Sequence, residues 1–206
     1  MKKSSFSIRP IAAVTLSLLL SAVASAKVSE QTLKNLNTAF QGESNAANRY
    51  AAFAKKADEE GNAQVAKLFR AAATAEAIHR DCHKETILKL EGTPATFQLD
   101  PVTPETTAAN LKAAITGETH ERDKMYPEFI ATAKADDSQP AIRTLQFALN
   151  AEKEHAKLYQ QALDTLGKNA AADYYVCKTC GMTLTALPPK RCPSCRKSPD
   201  EYKKIA

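Results

Sequence analysis

The chain has 206 residues, with 28 Lys and Arg against 23 Asp and Glu, no tryptophan and only six glycines. A formal charge of +5 without a basic stripe or Lys/Arg–aromatic interleaving argues against a nucleic-acid-binding surface, so no nucleic acid is expected among its partners. Abundant alanine with sparse glycine fits closely packed helices, and the length allows one good core and one small satellite.

Met1-Lys2-Lys3 and Arg9 make a basic start, an apolar run follows from Ile11 to Val23, and Ala24-Ser25-Ala26 closes it. This is the pattern of a cleavable signal peptide over 1–26, and the run is short of the roughly 20 residues that span a bilayer. No Arg-Arg pair precedes it, so a Sec-type signal is expected, with a mature chain starting at Lys27 in a periplasm. Cleavage removes Lys2, Lys3 and Arg9 and no acid, lowering the formal charge from +5 to +2.

The mature chain predicts a mainly α fold. Residues 29–60 carry Leu33, Leu36, Ala39, Phe40, Ala47, Tyr50, Phe53 and Ala54 at helical spacing, with Ser29 as N-cap. Gly42 costs a helix interior roughly 1 kcal/mol against alanine, which suggests that a backbone or ligand approaches Glu43 closely. A second helix runs from about Ala63 to Leu90. Pro94, Pro101 and Pro104 then mark a long crossover over 92–104, and Thr103-Pro104-Glu105-Thr106 reads as a cap with proline in the first turn. The third helix reaches about Ala135, and the fourth runs from Ser138-Gln139-Pro140 to Leu166 with Gly167 as C-cap. Two short loops and one long connection describe a ferritin-like four-helix bundle over 27–167. Residues 168–173 form a linker, and 174–206 hold four of the five cysteines and four of the ten prolines, a separate module.

Seven residues on these helices carry chemistry: Glu43; Glu76 with His79; Glu118 with Glu121; Glu152 with His155. Residues three apart share a helix face, and each Glu is followed some 33 residues later by Glu-x-x-His, the mark of a duplicated α-hairpin. One Glu-x-x-His is usually a solvated face. These, however, are flanked by Ala46, Ala47, Ala73, Ala75, Ile78, Phe147, Ala148 and Ala151, which turns them to the core. Five buried carboxylates without a cation would each cost several kcal/mol. Glutamate from two helices and Glu-x-x-His from two others is the ligand set of carboxylate-bridged dimetal sites, and its hard and borderline donors suit iron or manganese.

Gly42-Glu43-Ser44 with Arg49-Tyr50, Glu76-x-x-His79, Glu118-x-x-Glu121 with Tyr126-Pro127, and Glu152-x-x-His155 together resemble the rubrerythrin family, in its order and over nearly all of the mature chain. In the tail, Cys177-Lys-Thr-Cys180 and Cys192-Pro-Ser-Cys195 are separated by eleven residues. Spacing alone permits a zinc ribbon, a mononuclear iron site or two disulfides. Tyr175, Gly181 and Tyr202 make the module similar to a rubredoxin-like domain, with Arg196 where a second glycine is usual. A left-handed turn at Arg196 would cost on the order of 1 kcal/mol. Cys82 reads as a buried thiol.

The resemblance implies a non-haem di-iron peroxidase that protects against oxidative stress: hydrogen peroxide is cleaved to water, and electrons return through an iron held by Cys177, Cys180, Cys192 and Cys195. It implies that Glu76 and Glu152 bridge the irons, that Glu43 and Glu118 are terminal, that His155 serves the second iron, and that Glu121 and His79 exchange on one iron. Tyr50 and Tyr126 are then candidate hydrogen-bond donors beside the ligands. It also implies a head-to-tail homodimer in which one subunit's cysteine iron faces the other's di-iron site. Export adds a periplasmic or membrane electron donor. The rival readings are an iron-oxidising ferritin-like protein, which needs no cysteine relay, and a non-catalytic envelope protein with a zinc ribbon.

Overall fold

The computed structural model describes residues 28–206. The expected signal segment and its cleavage site lie outside the described residues.

Helix α1 (Glu30–Glu59) is capped by Ser29, whose Oγ accepts from the Thr32 amide at 3.2 Å. Its inward residues, Leu36, Ala39, Phe40, Glu43, Ala46, Tyr50, Phe53 and Ala57, recur every three or four positions. Helix α2 (Ala63–Lys89) returns antiparallel after a tight loop through Gly61 at φ +76°. The crossover then runs along α1, where the Asn37 and Asn45 side chains accept from the amides of Ala95 (2.6 Å) and Asp100 (3.0 Å). Helix α3 (Thr107–His120) is capped by Thr106, so Pro104 precedes the helix instead of occupying its first turn.

One feature was not legible in the helical period. Between α3 and α4 (Tyr126–Ala135) the chain makes a π-helical turn at Glu121–Met125. The repeat explains it. Glu43 lies 16 residues before the end of α1, while Glu118 lies 17 before the end of α4. Beyond that point the hairpins run in step, since α2 begins 13 residues before Glu76 and α5 (Gln139–Asp164) begins 13 before Glu152. One extra residue in the second hairpin is taken up as a π turn, the usual form of such a bulge. Both hairpins also leave their second helix through a left-handed residue, Glu91 (φ 59°) and Gly167 (φ +80°), each 15 residues past its Glu-x-x-His glutamate. Helix α5 ends at Asp164, so Gly167 lies beyond its cap, Thr165.

The apolar core is divided. Tyr50, Phe53, Leu68, Phe69, Leu111 and Tyr159 form one cluster, and Leu36, Phe40, Tyr126, Ile130, Leu145 and Leu149 form another. The polar centre separates them. Among the described residues no helix is long and apolar enough to cross a membrane.

The tail folds into strands β1 (Tyr174–Cys177), β2 (Thr183–Leu184) and β3 (Tyr202–Ile205), antiparallel in the order β2-β1-β3. Its sheet does not stand apart from the bundle. Tyr174, Val176 and Ile205 are buried in the same cluster as Phe69 and Tyr159.

Candidate metal centres

The seven residues occupy α1, α2, α3, α5 and the start of the π turn. Two groups of ligand atoms, each within 4.8 Å, emerge: Glu43, Glu76, His79 and Glu152; and Glu76, Glu118, Glu152 and His155. Glu76 and Glu152 belong to both. Two cations seated there would share those two carboxylates, with Glu43 and His79 on one side and Glu118 and His155 on the other. Glu121 belongs to neither group and is only partly buried, while His79 is fully inside. The structure thus displays the arrangement with histidine, not Glu121, in the first group.

The donor set fits positive ions. Glu43, Glu76, Glu118 and Glu152 are buried, and each has one carboxylate oxygen with no hydrogen-bond partner. Glu76 Oε1 lies 3.0 Å from His155 Nδ1 but out of line for a hydrogen bond. Four orphaned anionic oxygens around one centre are costly unless a cation supplies the missing contact. Burial, then mutual repulsion, pushes Glu43, Glu121 and Glu152 well above the ordinary carboxylate range. Burial also acts on Glu76, but the adjoining His155 and His79 outweigh it and bring it down to about 2. Burial likewise opposes the His155 imidazolium, and Glu76 with Glu118 overcomes it, raising His155 to about 10.

The histidines are oriented from outside the bundle. His79 Nδ1 faces Glu76 at 2.7 Å, and its Nε2–H donates to the Cys180 carbonyl at 3.2 Å. His155 Nδ1 faces Glu152 at 3.1 Å, and its Nε2–H donates to Thr183 Oγ1 at 2.9 Å. Thr183 in turn donates to the Gly181 carbonyl, which fixes the direction of that bond. Each ring therefore turns Nδ1 to the centre and has its far nitrogen held by the cysteine module. Gly181 is required twice: φ is +72°, and a Cβ there would come within 2.2 Å of His79 Nε2. Gly42, in contrast, has nothing within 4 Å of a Cβ position, so no backbone or side chain among the described residues makes the close approach expected beside Glu43.

The tyrosines cross between the hairpins. Tyr50 of the first donates to Glu118 of the second at 2.5 Å, and Tyr126 of the second donates to Glu43 of the first. His83, seven residues past Glu76 and fully buried, was not singled out by motif. Its signal is the continuation Glu-x-x-His-x-x-x-His, which puts it on the same helix face. Its Nε2 lies 3.3 Å from Tyr126 Oη and its Nδ1 3.0 Å from Thr144 Oγ1.

In the tail, Cys177 and Cys195 have Sγ atoms 3.6 Å apart, as do Cys180 and Cys192, and all four group within 4.8 Å. A disulfide needs about 2.05 Å, so the disulfide reading fails. Bonds of about 2.3 Å from four thiolates to a central metal suit the observed spacing. The knuckles have left-handed turns at Gly181 and at Arg196, where φ is 66°. Cys82 is half-buried and not buried as expected. Its thiol reaches the Thr179 carbonyl at 3.7 Å, and burial pushes it up to about 11, which keeps it unreactive.

A family model described as rubrerythrin matches residues 34–163. Rubrerythrin-2 of Clostridium acetobutylicum is 34% identical over 171 residues, covering 81% of this chain and 92% of that protein. Nigerythrin of Nitratidesulfovibrio vulgaris is 32% identical over 179 residues, covering 83% and 85%. The solved structure of nigerythrin in its fully reduced, all-ferrous state superposes with a TM-score of 0.76 at 30% identity, covering 89% of this chain and 91% of that one. Bacterioferritin of Rhodobacter capsulatus, 24% identical with a TM-score of 0.62, shares the fold.

Proposed function

The chain belongs to the rubrerythrin family, with its carboxylate–histidine di-iron site and four-cysteine iron site, and from that premise we propose that it is a peroxidase reducing hydrogen peroxide to water with electrons returned through the cysteine site. The observation that carries this reading is the contact of the cysteine module with both imidazoles: a store of single electrons stands one hydrogen bond from the binuclear centre. An iron-oxidising ferritin-like role has no use for that contact.

Glu76 and Glu152, common to both ligand groups, would hold two iron ions, and ferrous iron there would supply the electron pair for O–O cleavage. The protein's residues do the rest. Glu43 and Glu118 complete the two positions, and Tyr126 and Tyr50 hold their carboxylates in place. The Cys180 carbonyl and Thr183 hydroxyl keep each histidine in the tautomer that leaves Nδ1 free. Burial of the whole set excludes bulk water. Glu121, at the start of the π turn, offers a carboxylate donor and His79 an imidazole donor, in keeping with an exchange between the two as charge at the site changes. Export to a periplasm, a periplasmic or membrane electron donor and a head-to-tail homodimer belong to the same reading. Exchange of cysteine modules between two copies would preserve the Cys180 and Thr183 contacts.

Cys192→Ser tests the reading. It should remove the red cysteine-site colour and lower steady peroxide turnover with a reduced one-electron dye by more than about 10-fold, the lower end of what loss of even an outer-shell partner costs. A chemically pre-reduced binuclear site in that variant should still consume one equivalent of peroxide. Undiminished steady turnover would refute the relay, and an iron-replete parent protein inert to peroxide would refute the peroxidase.

A further inference from the structure

Peroxide reduction takes two protons as well as two electrons for each pair of waters formed. The electrons have a route on the module side, but nothing described so far brings protons into a centre with Glu43, Glu76, Glu118, Glu152 and both histidines buried. At the edge of the module, where Cys82 reaches Thr179 and Phe147 packs on the cysteine cluster, α2 and α5 part to form a surface cleft of about 310 Å³, lined by Cys82, Glu85, Lys89, Arg143, Thr144 and Phe147. Thr144 is its innermost polar residue with a partner in the core: its hydroxyl lies 3.0 Å from His83 Nδ1. His83 Nε2 lies 3.3 Å from Tyr126 Oη, and Tyr126 donates to Glu43. His83 itself is 0% exposed and flanked by no carboxylate within hydrogen-bonding distance, so its ring serves no ion pair.

We propose that Thr144, His83 and Tyr126 form a proton-entry path from the α2–α5 cleft to Glu43 at the binuclear centre. The inference rests on the peroxidase reading for its purpose, but on this geometry for its existence. The chain of bonds is complete in one polarity. The Thr144 hydroxyl donates to Nδ1, the Nε2–H donates to Tyr126 Oη, and the Tyr126 hydroxyl donates to Glu43. A proton arriving from cleft water at Thr144 Oγ1 lets Thr144 pass its own to Nδ1, Nε2 pass its own to Tyr126, and Tyr126 pass its own to Glu43. One proton leaves the cleft, one arrives on Glu43, and Thr144, His83 and Tyr126 are neutral before and after. Imidazole suits this step because it binds at one nitrogen while releasing from the other. Burial favours the neutral ring, holding His83 down at about 3, so the path works by tautomer exchange and stores no charge. Reorientation of the two hydroxyls and of the imidazole ring, so that a ring N–H again faces Tyr126, resets it without moving a proton back. Among the described residues the other end of the centre has no such chain: Tyr50 lies between the Arg49 guanidinium and Tyr159, whose hydroxyl is buried without a partner.

The test reads proton exchange directly. In full chain loaded with zinc, which is diamagnetic, exchange of the His83 ring N–H with water is followed by magnetic resonance on isotopically labelled histidine. Thr144→Val should slow that exchange roughly tenfold or more, because exchange then requires local opening of the bundle. Thr144→Ser, which keeps the hydroxyl, should exchange at the parental rate. The His79 and His155 ring protons, held by the module, should not change in either variant. Parental exchange in Thr144→Val, or equally slow exchange in Thr144→Ser, overturns the path. In the iron-loaded, pre-reduced protein, single-turnover peroxide consumption should slow in Thr144→Val and recover in Thr144→Ser. A parent that does not consume peroxide defeats the peroxidase reading instead, and the exchange measurement still decides the path.

Discussion

In the first hairpin Glu43 is followed three residues later by Ala46, whereas in the second Glu118 is followed by Glu121; seven residues past Glu76 stands His83, whereas seven past Glu152 stands Tyr159. The module treats the hairpins differently too, meeting His79 with a main-chain carbonyl and His155 with the Thr183 hydroxyl. What the hairpins share, a glutamate, a crossed tyrosine and Glu-x-x-His, builds two cation positions around common carboxylates. Their differences lie where each position meets its surroundings. The duplication accounts for the metal pair, and the divergence accounts for two unlike positions, one of them connected to a fifth carboxylate and to the buried His83.

The comparison is broken most severely at the shared residues. Glu76→Ala should empty both positions while leaving the red cysteine site, whereas Glu43→Ala should weaken one position, by about 10- to 100-fold in affinity if it behaves as lost ligand support. Metal counts with the visible spectrum separate the two, and a single metal retained in Glu76→Ala would show that the carboxylates are not shared. A smaller effect is expected at the contact between the regions. Gly181→Ala puts a methyl into His79 and a side chain at φ +72°, so the module must withdraw from that ring. Reduction of the binuclear site by a pre-reduced cysteine site should slow by about tenfold or more, since the hydrogen bond from His79 to the Cys180 carbonyl is lost. An unchanged rate would place the electron route elsewhere.

The electrostatics give a third expectation. In the metal-free protein His155 is raised to about 10, and Glu43, Glu121 and Glu152 lie well above their ordinary values, so protons occupy the site at neutral pH. Metal must expel them. Loading should therefore release protons and weaken progressively as pH falls below about 10, where His155 takes up its proton. Titration calorimetry in buffers of different ionisation enthalpy reads the number released, and pH-independent loading without release would contradict the protonated site. The smallest effect belongs to the second repeat in the molecule, the cysteine knuckles. Arg196→Gly relieves a left-handed side chain and should stabilise the protein by about 1 kcal/mol, seen as a small rise in melting temperature.

Much of this was legible in the chain. Five helical segments were readable as four because apolar spacing reports packing faces, and the six candidate ligands that the structure groups were readable because such residues fall on core-facing stripes. The cysteine knuckles and the left-handed Arg196 follow from local chemistry. What the sequence concealed was relational. A one-residue insertion keeps hydrophobic spacing nearly intact, so the π turn at Glu121 shows only when the hairpins are laid side by side. His83 looked like one more polar residue on α2 because its partners, Tyr126 and Thr144, lie 43 and 61 residues away. Gly42 suggested a close approach that no described protein atom makes, whereas Gly181, read as a turn residue, turned out to be the point where the module meets His79.

The central claim is that two metals lie side by side, bridged by the Glu-x-x-His glutamates of the two hairpins. Anomalous diffraction at the iron edge from crystals of iron-loaded protein tests it most directly. The account predicts two iron positions in the bundle, one against Glu43 and His79 and one against Glu118 and His155, both touching Glu76 and Glu152. A single bundle iron, or a pair that does not share those two carboxylates, would contradict it.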